Sequence, residues 1–323
     1  MDSQIYDVIM PLALKDMDTV MINSGSWFQF LPIKQLIIIG NTEVQKHLEK
    51  MNNTDGKIRF IDENELLEIG TVRDIMCRAA PEAIREDAVR RAGWYLQQFL
   101  KMMYAYICED EYYMIWDSDT VPLVPIEMIH QGRPVFHMKG EYYPSYFNTM
   151  GRILPGMGKR VRQSFISEHM LIRRDIMKEM IREIERQNLS EGEKFYEAIL
   201  YAVDKDMLPH SGFSEFETYG TYTDSRYPGL YEKISYKSLR DGGRYFALDQ
   251  FSSREADWLR GIYQAVSFEK SDVLLPEHRF FKVSVLQSLF GFDEMAAFFM
   301  NLREQKNRMK KALNSKEKQG MRW

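Results

Sequence analysis

A short apolar and aromatic run, Tyr112–Trp116, ends at two carboxylates one residue apart, Asp117 and Asp119. The run has the length of a central strand, and Pro122 supplies a turn signal just beyond it. Hard cations such as Mg²⁺ and Mn²⁺ prefer oxygen ligands, and Mg²⁺ is usually held by few carboxylates, with phosphate and water completing its shell. The sequence therefore predicts a divalent metal site at this strand end, against the alternative of a capped strand end.

The same Asp-x-Asp spacing occurs twice more, at Asp16 and Asp18 and at Asp204 and Asp206. The first of these pairs follows a predicted strand, in a place suited to capping a helix. The second follows a helical pattern and precedes a proline, which indicates a loop at the end of a helix. Only the pair after the apolar run has the context of a metal site.

Composition narrows the class of protein. The chain has 323 residues, of which 45% are hydrophobic and 28% charged, as in ordinary globular proteins. A net charge of −4 gives no general attraction to nucleic acid, so we expect no nucleic-acid partner. Two cysteines, Cys77 and Cys108, are too few for a disulfide scaffold. The N-terminus has no secretion signal, and no apolar stretch is long enough to span a membrane, so we expect a cytoplasmic protein.

The first hundred residues predict strands at Tyr6–Pro11, Gln35–Ile39 and Lys57–Ile61, with helices between them. Such alternation indicates an α/β fold with a parallel sheet, in which ligands bind beyond the carboxyl ends of the strands. No Gly-x-Gly-x-x-Gly follows an early strand, which disfavours a dinucleotide-dependent enzyme. The segment Ala83–Cys108 has helical spacing and leads into the strand that ends at Asp117.

Four segments together carry a family resemblance: Gly93–Lys101, Met114–Thr120, Ser167–Leu171 and Phe213–Gly220. In this order they resemble a bacterial family of GT-A-type glycosyltransferases found with surface-polysaccharide genes, much of it described only as a domain of unknown function. The resemblance spans about residues 5 to 260. It implies a GT-A-like αβα sandwich with a Rossmann-like mixed sheet, and a C-terminal helical extension.

The resemblance also implies a domain plan and a reaction. Residues 1–265 would form the catalytic domain, with a nucleotide-sugar half at 1–120 and an acceptor half at 121–265, and residues 266–323 the extension. The enzyme would move a sugar from a nucleoside-diphosphate sugar to a glycan or lipid-linked glycan acceptor, with Mn²⁺ or Mg²⁺ on the diphosphate. Asp119 would be the direct metal ligand, and Asp117 would face the ribose or the metal.

Two glutamates are candidates for a general base. An inverting transferase needs a carboxylate to deprotonate the acceptor hydroxyl, and Glu215 and Glu217 lie in an aromatic Ser-Glu-Phe-Glu segment. The segment fits a strand end or a helix start, and in a strand the spacing would place both carboxylates on one face. The alternative is that one of them only accepts backbone hydrogen bonds. A retaining enzyme would need neither, and Asp117 is counted with them as a catalytic candidate.

Donor and acceptor contacts are assigned to basic and aromatic side chains. The turn from Pro11 to Asp16 would line the base, by resemblance to the fold. Other donor candidates lie on the predicted helix: Arg85, Arg91, Trp94, Gln98 and Lys101. The acceptor candidates are His169, Tyr142 and Tyr143. The alternative for the basic side chains is that they lie on the solvated surface. The alternative for the aromatic rings is that they belong to the core.

Other functions remain open. A nucleotidyltransferase or sugar-nucleotide hydrolase would also need a metal and acidic ligands, although no glycine-rich loop follows the first strand. A third hypothesis is that the protein is a non-catalytic scaffold of a polysaccharide assembly complex. The basic tail, Lys306–Lys318, could contact anionic lipid at the inner face of the membrane, against the alternative of a solvated helix.

Overall fold

The computed structural model describes residues 4–50, 56–187 and 192–320, with side chains described up to Met309 in the last segment. The chain forms two compact units, Met1–Lys237 and Ser238–Trp323. The predicted boundary at residue 265 falls inside the second unit. Within the described ranges, no helix has the length and apolar character to cross a bilayer.

A five-stranded sheet forms the centre of the first unit. Its strands are β1 (Tyr6–Pro11), β2 (Ile33–Gly40), β3 (Ile58–Asp62), β4 (Tyr112–Trp116) and β8 (His169–Arg173), in the order β3-β2-β1-β4-β8. The first four are parallel, and β8 runs antiparallel to β4. Consecutive residues of the inner strands are fully buried, which requires cover on both faces because side chains alternate. The predicted α/β sandwich with a mixed sheet is confirmed.

Helices of the first unit follow the strands or pack on one another. They are α1 (Met17–Phe30), α2 (Thr42–Lys50), α3 (Ile69–Ala79), α4 (Arg85–Arg90), α5 (Ala92–Met103), α6 (Pro144–Ile153), α7 (Arg174–Arg186), α8 (Phe195–Ala202) and α9 (Glu215–Arg226). The helix predicted for Ala83–Cys108 is divided at Arg91. There the Trp94 amide donates to the Arg91 carbonyl at 2.9 Å, a tighter turn than that of an α-helix, which separates α4 from α5.

Short strands complete the first unit: β5 (Thr120–Pro122), β6 (Ile129–His130), β7 (Arg133–Met138) and β9 (Glu232–Ser235). Strand β7 pairs antiparallel with β6 and parallel with β9. The turn between β4 and β5 is fixed by two indoles, because Trp27 and Trp116 each donate to the Thr120 carbonyl at 2.9 Å. Both donors are fully buried, so the turn that holds Asp117 and Asp119 has a rigid base.

The second unit is smaller and ends in helices. It contains β10 (Ser238–Leu239), α10 (Ser253–Arg260), β11 (Ala265–Ser267), α11 (Ser284–Leu289) and α12 (Phe292–Gly320). Strands β10 and β11 are parallel. Its core is a cluster of aromatic rings around Phe246, Phe281 and Phe292. The predicted C-terminal helical extension is confirmed by α11 and α12.

Candidate functional site

The two carboxylates of the Asp-x-Asp segment lie directly beyond the carboxyl end of β4. The Asp117 amide donates to the Glu168 carbonyl at 2.9 Å, which extends the pairing of β4 with β8 by one residue. The Thr120 amide then donates to the Asp117 carbonyl at 3.1 Å and closes the turn. The Thr120 hydroxyl donates to Asp119 Oδ1 at 3.2 Å. Both acidic side chains are half-buried, so they can reach a ligand in the crevice.

A buried lysine joins this turn to helix α9. Lys101 Nζ lies 2.7 Å from Asp117 Oδ1 and 2.7 Å from Glu215 Oε1. Burial alone would lower the pKa of Lys101, but the two carboxylates together outweigh it and raise the pKa above its ordinary value. The ammonium therefore stays charged and holds both carboxylates in place. In the structure its two partners are carboxylates, and the predicted contact of Lys101 with phosphate stays a prediction.

One face of α5 binds the segment that leads into α9. Arg91 donates to the His210 carbonyl at 3.1 Å, and the Tyr95 hydroxyl accepts from the Gly212 amide at 3.3 Å. Gln98 Oε1 accepts from the Glu215 amide at 3.2 Å, and Lys101 binds the Glu215 carboxylate. The spacing of four, three and three residues places these side chains on one side of the helix. Most of the predicted donor-contact residues on α5 therefore support the start of α9.

The two candidate bases point in different directions, because their segment begins a helix and the shared face expected for a strand does not form. Ser214 accepts from the Glu217 amide at 3.2 Å and starts helix α9 at Glu215. In a helix, residues two apart are about 200° apart around the axis, so they diverge. Glu215 faces Lys101, whereas Glu217 accepts from Ser164 Oγ at 2.5 Å.

Glu217, unlike Glu215, forms no ion pair with any of the described residues. It is 2% exposed, and burial raises the pKa of its carboxyl, although the hydroxyl of Ser164 partly offsets the effect. The Phe165 amide donates to the same oxygen, Oε2, at 3.3 Å. Its other oxygen, Oε1, is buried without a hydrogen-bond partner among the described residues. A carboxylate with one unsatisfied buried oxygen can accept a proton from a nearby hydroxyl.

A second lysine and carboxylate pair adjoins Asp117 and was missed as a site. Glu168, whose carbonyl accepts from Asp117, is 5% exposed and forms an ion pair with Lys139. Its φ of 62° lies in the left-handed region, which non-glycine residues rarely adopt. Glu168 lies in one of the segments that carry the family resemblance. Its partner, Lys139, directly follows a different strand, β7, so the sequence alone did not show the pair.

His169 lies inside the sheet. Its ring stacks on Trp116 at 5.1 Å between centroids, and its Nε2 lies 2.8 Å from His137 Nδ1. It is 1% exposed, so its contacts are those of a core residue. Tyr142 and Tyr143, the other acceptor candidates, are 58% and 40% exposed and lie just before α6.

The remaining predicted donor contacts are dispersed. Pro11 is buried at the end of β1, and Asp16 is half-buried just before α1. Arg85 is exposed at the start of α4, in a shallow groove. The guanidinium of Arg91 lies 4.5 Å above the ring of Trp94, and burial lowers its pKa. These residues stay candidates for donor binding.

The acidic turn suits a hard cation that completes its shell with substrate. Among the described residues, no cluster of three or more His, Cys, Asp or Glu side chains is arranged to hold a metal. Asp119 and the second oxygen of Asp117 supply a carboxylate pair, which matches Mg²⁺ or Mn²⁺ bound together with a diphosphate and water. The donor set therefore fits a cation that arrives with a nucleotide better than a cation in a closed protein cage.

Comparisons with known proteins give one family and several structures. A model described as a family of unknown function (DUF6492) matches residues 8–259. A search of curated proteins finds no match. Mouse xyloside xylosyltransferase 1 is 14% identical, with a TM-score of 0.44 over 84% of this chain and 99% of that one. Galactosyltransferase LgtC, solved with donor and acceptor sugar analogues, is 9% identical, with a TM-score of 0.42 over 88% and 96%.

The glycosyltransferase GlyE of Streptococcus pneumoniae is 8% identical to this chain. Its TM-score is 0.39, and the match covers 93% of this chain and 64% of that one. Since all three TM-scores are below 0.5, the function of this chain is inferred from its own residues.

Proposed function

The chain belongs to the family of unknown function DUF6492, and from its site we propose that it is a metal-dependent glycosyltransferase. The observation that carries the proposal is the position of Asp117 and Asp119, which follow the carboxyl end of a central strand and adjoin a buried lysine with its own carboxylate partner. The donor would be a nucleoside-diphosphate sugar and the acceptor a glycan. The sequence resemblance supports a role in bacterial surface-polysaccharide synthesis, with the reaction in the cytoplasm.

We place the donor beyond the ends of β1, β2 and β4, where ligands of open α/β sheets bind. Asp119 is the proposed direct ligand of the metal. Asp117 shares one oxygen with Lys101 and offers the other to the metal or to a ribose hydroxyl. When bound, the cation would neutralise charge that develops on the departing nucleoside diphosphate.

Residues of the chain itself would position the site and supply the base. Lys101 holds Asp117 and Glu215 at fixed positions, so Glu215 acts through Lys101 and is a positioning residue. Glu217 is our candidate for the base that accepts the proton of the acceptor hydroxyl in an inverting reaction. Its raised pKa and its unsatisfied buried oxygen suit that role better than the ion-paired Glu215 does.

The test is nucleotide binding followed by thermal unfolding. We expect Mn²⁺ together with one of UDP, GDP or CDP to raise the melting temperature, because a ligand that binds only the folded state stabilises it by about 2.7 kcal/mol at a hundred times its Kd. Asp119→Asn should abolish the Mn²⁺-dependent part of the shift. Asp206→Asn is the matched control, since it removes the exposed second carboxylate of another Asp-x-Asp.

Two results would contradict the proposal: no shift with any nucleotide in Mn²⁺, or the same shift in Asp119→Asn as in the native protein. Mass analysis of products then separates the rival reactions. A transferase lengthens the acceptor, whereas a hydrolase releases free sugar and a nucleotidyltransferase releases pyrophosphate.

A further inference from the structure

A loop between α6 and the segment that leads into β8 has a strong positive charge. This basic loop, residues 155–163, contains Lys159, Arg160 and Arg162 and no acidic residue. Gly156, with φ of 86°, turns the chain after α6. Lys159 Nζ donates to the Gln163 carbonyl at 2.8 Å and so closes the loop. The loop is therefore closed on itself, and it carries three cations within four consecutive residues.

The two guanidinium groups of the basic loop are available to a ligand. Arg160 and Arg162 are exposed, and neither forms an ion pair with any residue in the described parts of the chain. Cations held close to one another repel, and an anion placed between them relieves the repulsion. A guanidinium fork can also bind a carboxylate or a phosphate through two parallel hydrogen bonds.

Aromatic rings border the basic loop. Lys159 Nζ lies 5.2 Å from the ring centroid of Tyr142 and 5.0 Å from that of Phe147. The two rings stack on each other at 5.7 Å. Because Tyr142 is exposed, part of its ring is open to a ligand. Flat aromatic surface beside cations suits a sugar ring that bears a negative group.

The basic loop is continuous with the candidate catalytic residues. It leads directly into Ser164, whose hydroxyl donates to Glu217, and whose amide donates to the Lys139 carbonyl at 2.8 Å. Lys139 in turn binds Glu168, the neighbour of Asp117. Lys159 is near enough to Glu217 to lower the pKa of that carboxyl, although burial has the larger and opposite effect. A ligand on the loop would therefore lie beside the proposed base.

We propose that the basic loop binds a negative group of the acceptor, so that the acceptor is an acidic glycan with a carboxylate or phosphate. Arg160 and Arg162 bind the negative group, and Tyr142 packs against the sugar ring that bears it. This inference rests on the proposed transferase function, and it adds a specificity site that donor binding does not use.

The experiment compares binding of acidic and neutral probes by titration calorimetry. The probes are a hyaluronan tetrasaccharide for the carboxylate, inorganic phosphate for the phosphate, and chitotetraose as the neutral sugar. We expect the native protein to bind one of the two acidic probes at least about tenfold more tightly than chitotetraose, which is a step of one order of magnitude in Kd. The preference should weaken as salt rises, because the cations are exposed.

The double variant Arg160→Gln/Arg162→Gln should lose that preference. Its control is Arg182→Gln/Arg186→Gln, which removes the same charge from exposed positions on α7 and should keep the preference. Equal melting temperatures would show that both variants are folded. The proposal is overturned if neither acidic probe is preferred, or if both variants bind alike.

Titration of UDP with Mn²⁺ separates this inference from the transferase proposal. We expect the loop variant to bind the nucleotide as the native protein does. If it loses nucleotide affinity and keeps the acidic probe, the loop serves the donor diphosphate and the acceptor assignment is wrong. If neither the native protein nor any variant binds a nucleotide, the transferase proposal fails, whatever the acidic probes show.

Discussion

Lys101 and Glu215 form a buried ion pair, with 2.7 Å between Nζ and Oε1. The two residues are 114 positions apart in the chain, and their pairing joins the end of α5 to the first residue of α9. The same ammonium binds Asp117 at the end of β4. One charge therefore fixes three elements around the candidate site, and its removal should affect both stability and activity.

We expect Lys101→Met to lower the free energy of unfolding by about 3–5 kcal/mol, because it leaves a buried carboxylate without its partner. The measurement is urea unfolding followed by circular dichroism. Lys101→Met/Glu215→Met should recover part of the loss, since an apolar pair needs no counter-ion. Lys46→Met, which breaks a solvent-exposed pair with Glu43, should lower the free energy of unfolding far less, because solvent screens that pair. A loss equal to that of Lys46→Met would show that the buried pair contributes little.

Substitution of the two glutamates of α9 by glutamine should have different effects, one on kcat and the other on stability. Glu217→Gln should lower kcat by roughly 10²–10⁴-fold, with little change in the donor KM, if Glu217 is the base. Glu215→Gln should lower stability instead, because it weakens the ion pair with Lys101. Steady-state kinetics with each variant, at matched folded fractions, makes the comparison. An unchanged kcat in Glu217→Gln would point to a retaining reaction or another base.

The strand end at Asp117 could be predicted from sequence because its signal is local. An apolar run next to a turn defines both the strand and the position of the carboxylates. The start of α9 could not be assigned from Ser-Glu-Phe-Glu alone, since alternating polar and aromatic residues fit a strand as well as a first helical turn. The capping bond from the Glu217 amide to Ser214 decides between them.

The partners of the lysines could not be predicted for a different reason. Lys101 and Lys139 contact carboxylates that only the folded chain brings near, on α9 and beside β8. The helical pattern around Lys101 does not show whether its side chain contacts solvent, a phosphate or a carboxylate. Glu168 likewise showed no special pattern, because its backbone strain and its contact with Asp117 arise from the pairing of β4 with β8.

Two helical glycines should respond oppositely to substitution by alanine. A Cβ on Gly220, within α9, would lie 2.2 Å from Phe165 Cγ, so Gly220→Ala should destabilise the protein by about 1–3 kcal/mol. A Cβ on Gly93, within α5, would meet no atom within 4 Å, so Gly93→Ala should stabilise it by up to about 1 kcal/mol. Thermal unfolding of both variants checks the signs. Equal effects would mean that Phe165 moves aside freely.

The buried histidine pair should make the protein sensitive to acid. Burial lowers the pKa of His137 from its ordinary 6.5 to about 4. Burial also lowers the pKa of His169 well below 6.5, and the charge of His137 adds to the effect. Between these pKa values and 6.5 the unfolded chain binds more protons than the folded one. Stability should therefore be complete above about pH 6.5 and should fall as the pH drops toward 4, by at most roughly 1.4 kcal/mol per pH unit for each histidine.

The variant His137→Gln tests this source of acid sensitivity. It removes one of the two buried imidazoles and also the charge that opposes protonation of His169, so the loss of stability between pH 6.5 and pH 5 should become smaller. The free energy of unfolding in urea, measured at half-unit steps of pH, gives the slope. His47→Gln, on the exposed face of α2, is the control and should keep the native slope. If His137→Gln keeps it as well, carboxyl groups rather than the histidine pair cause the acid sensitivity.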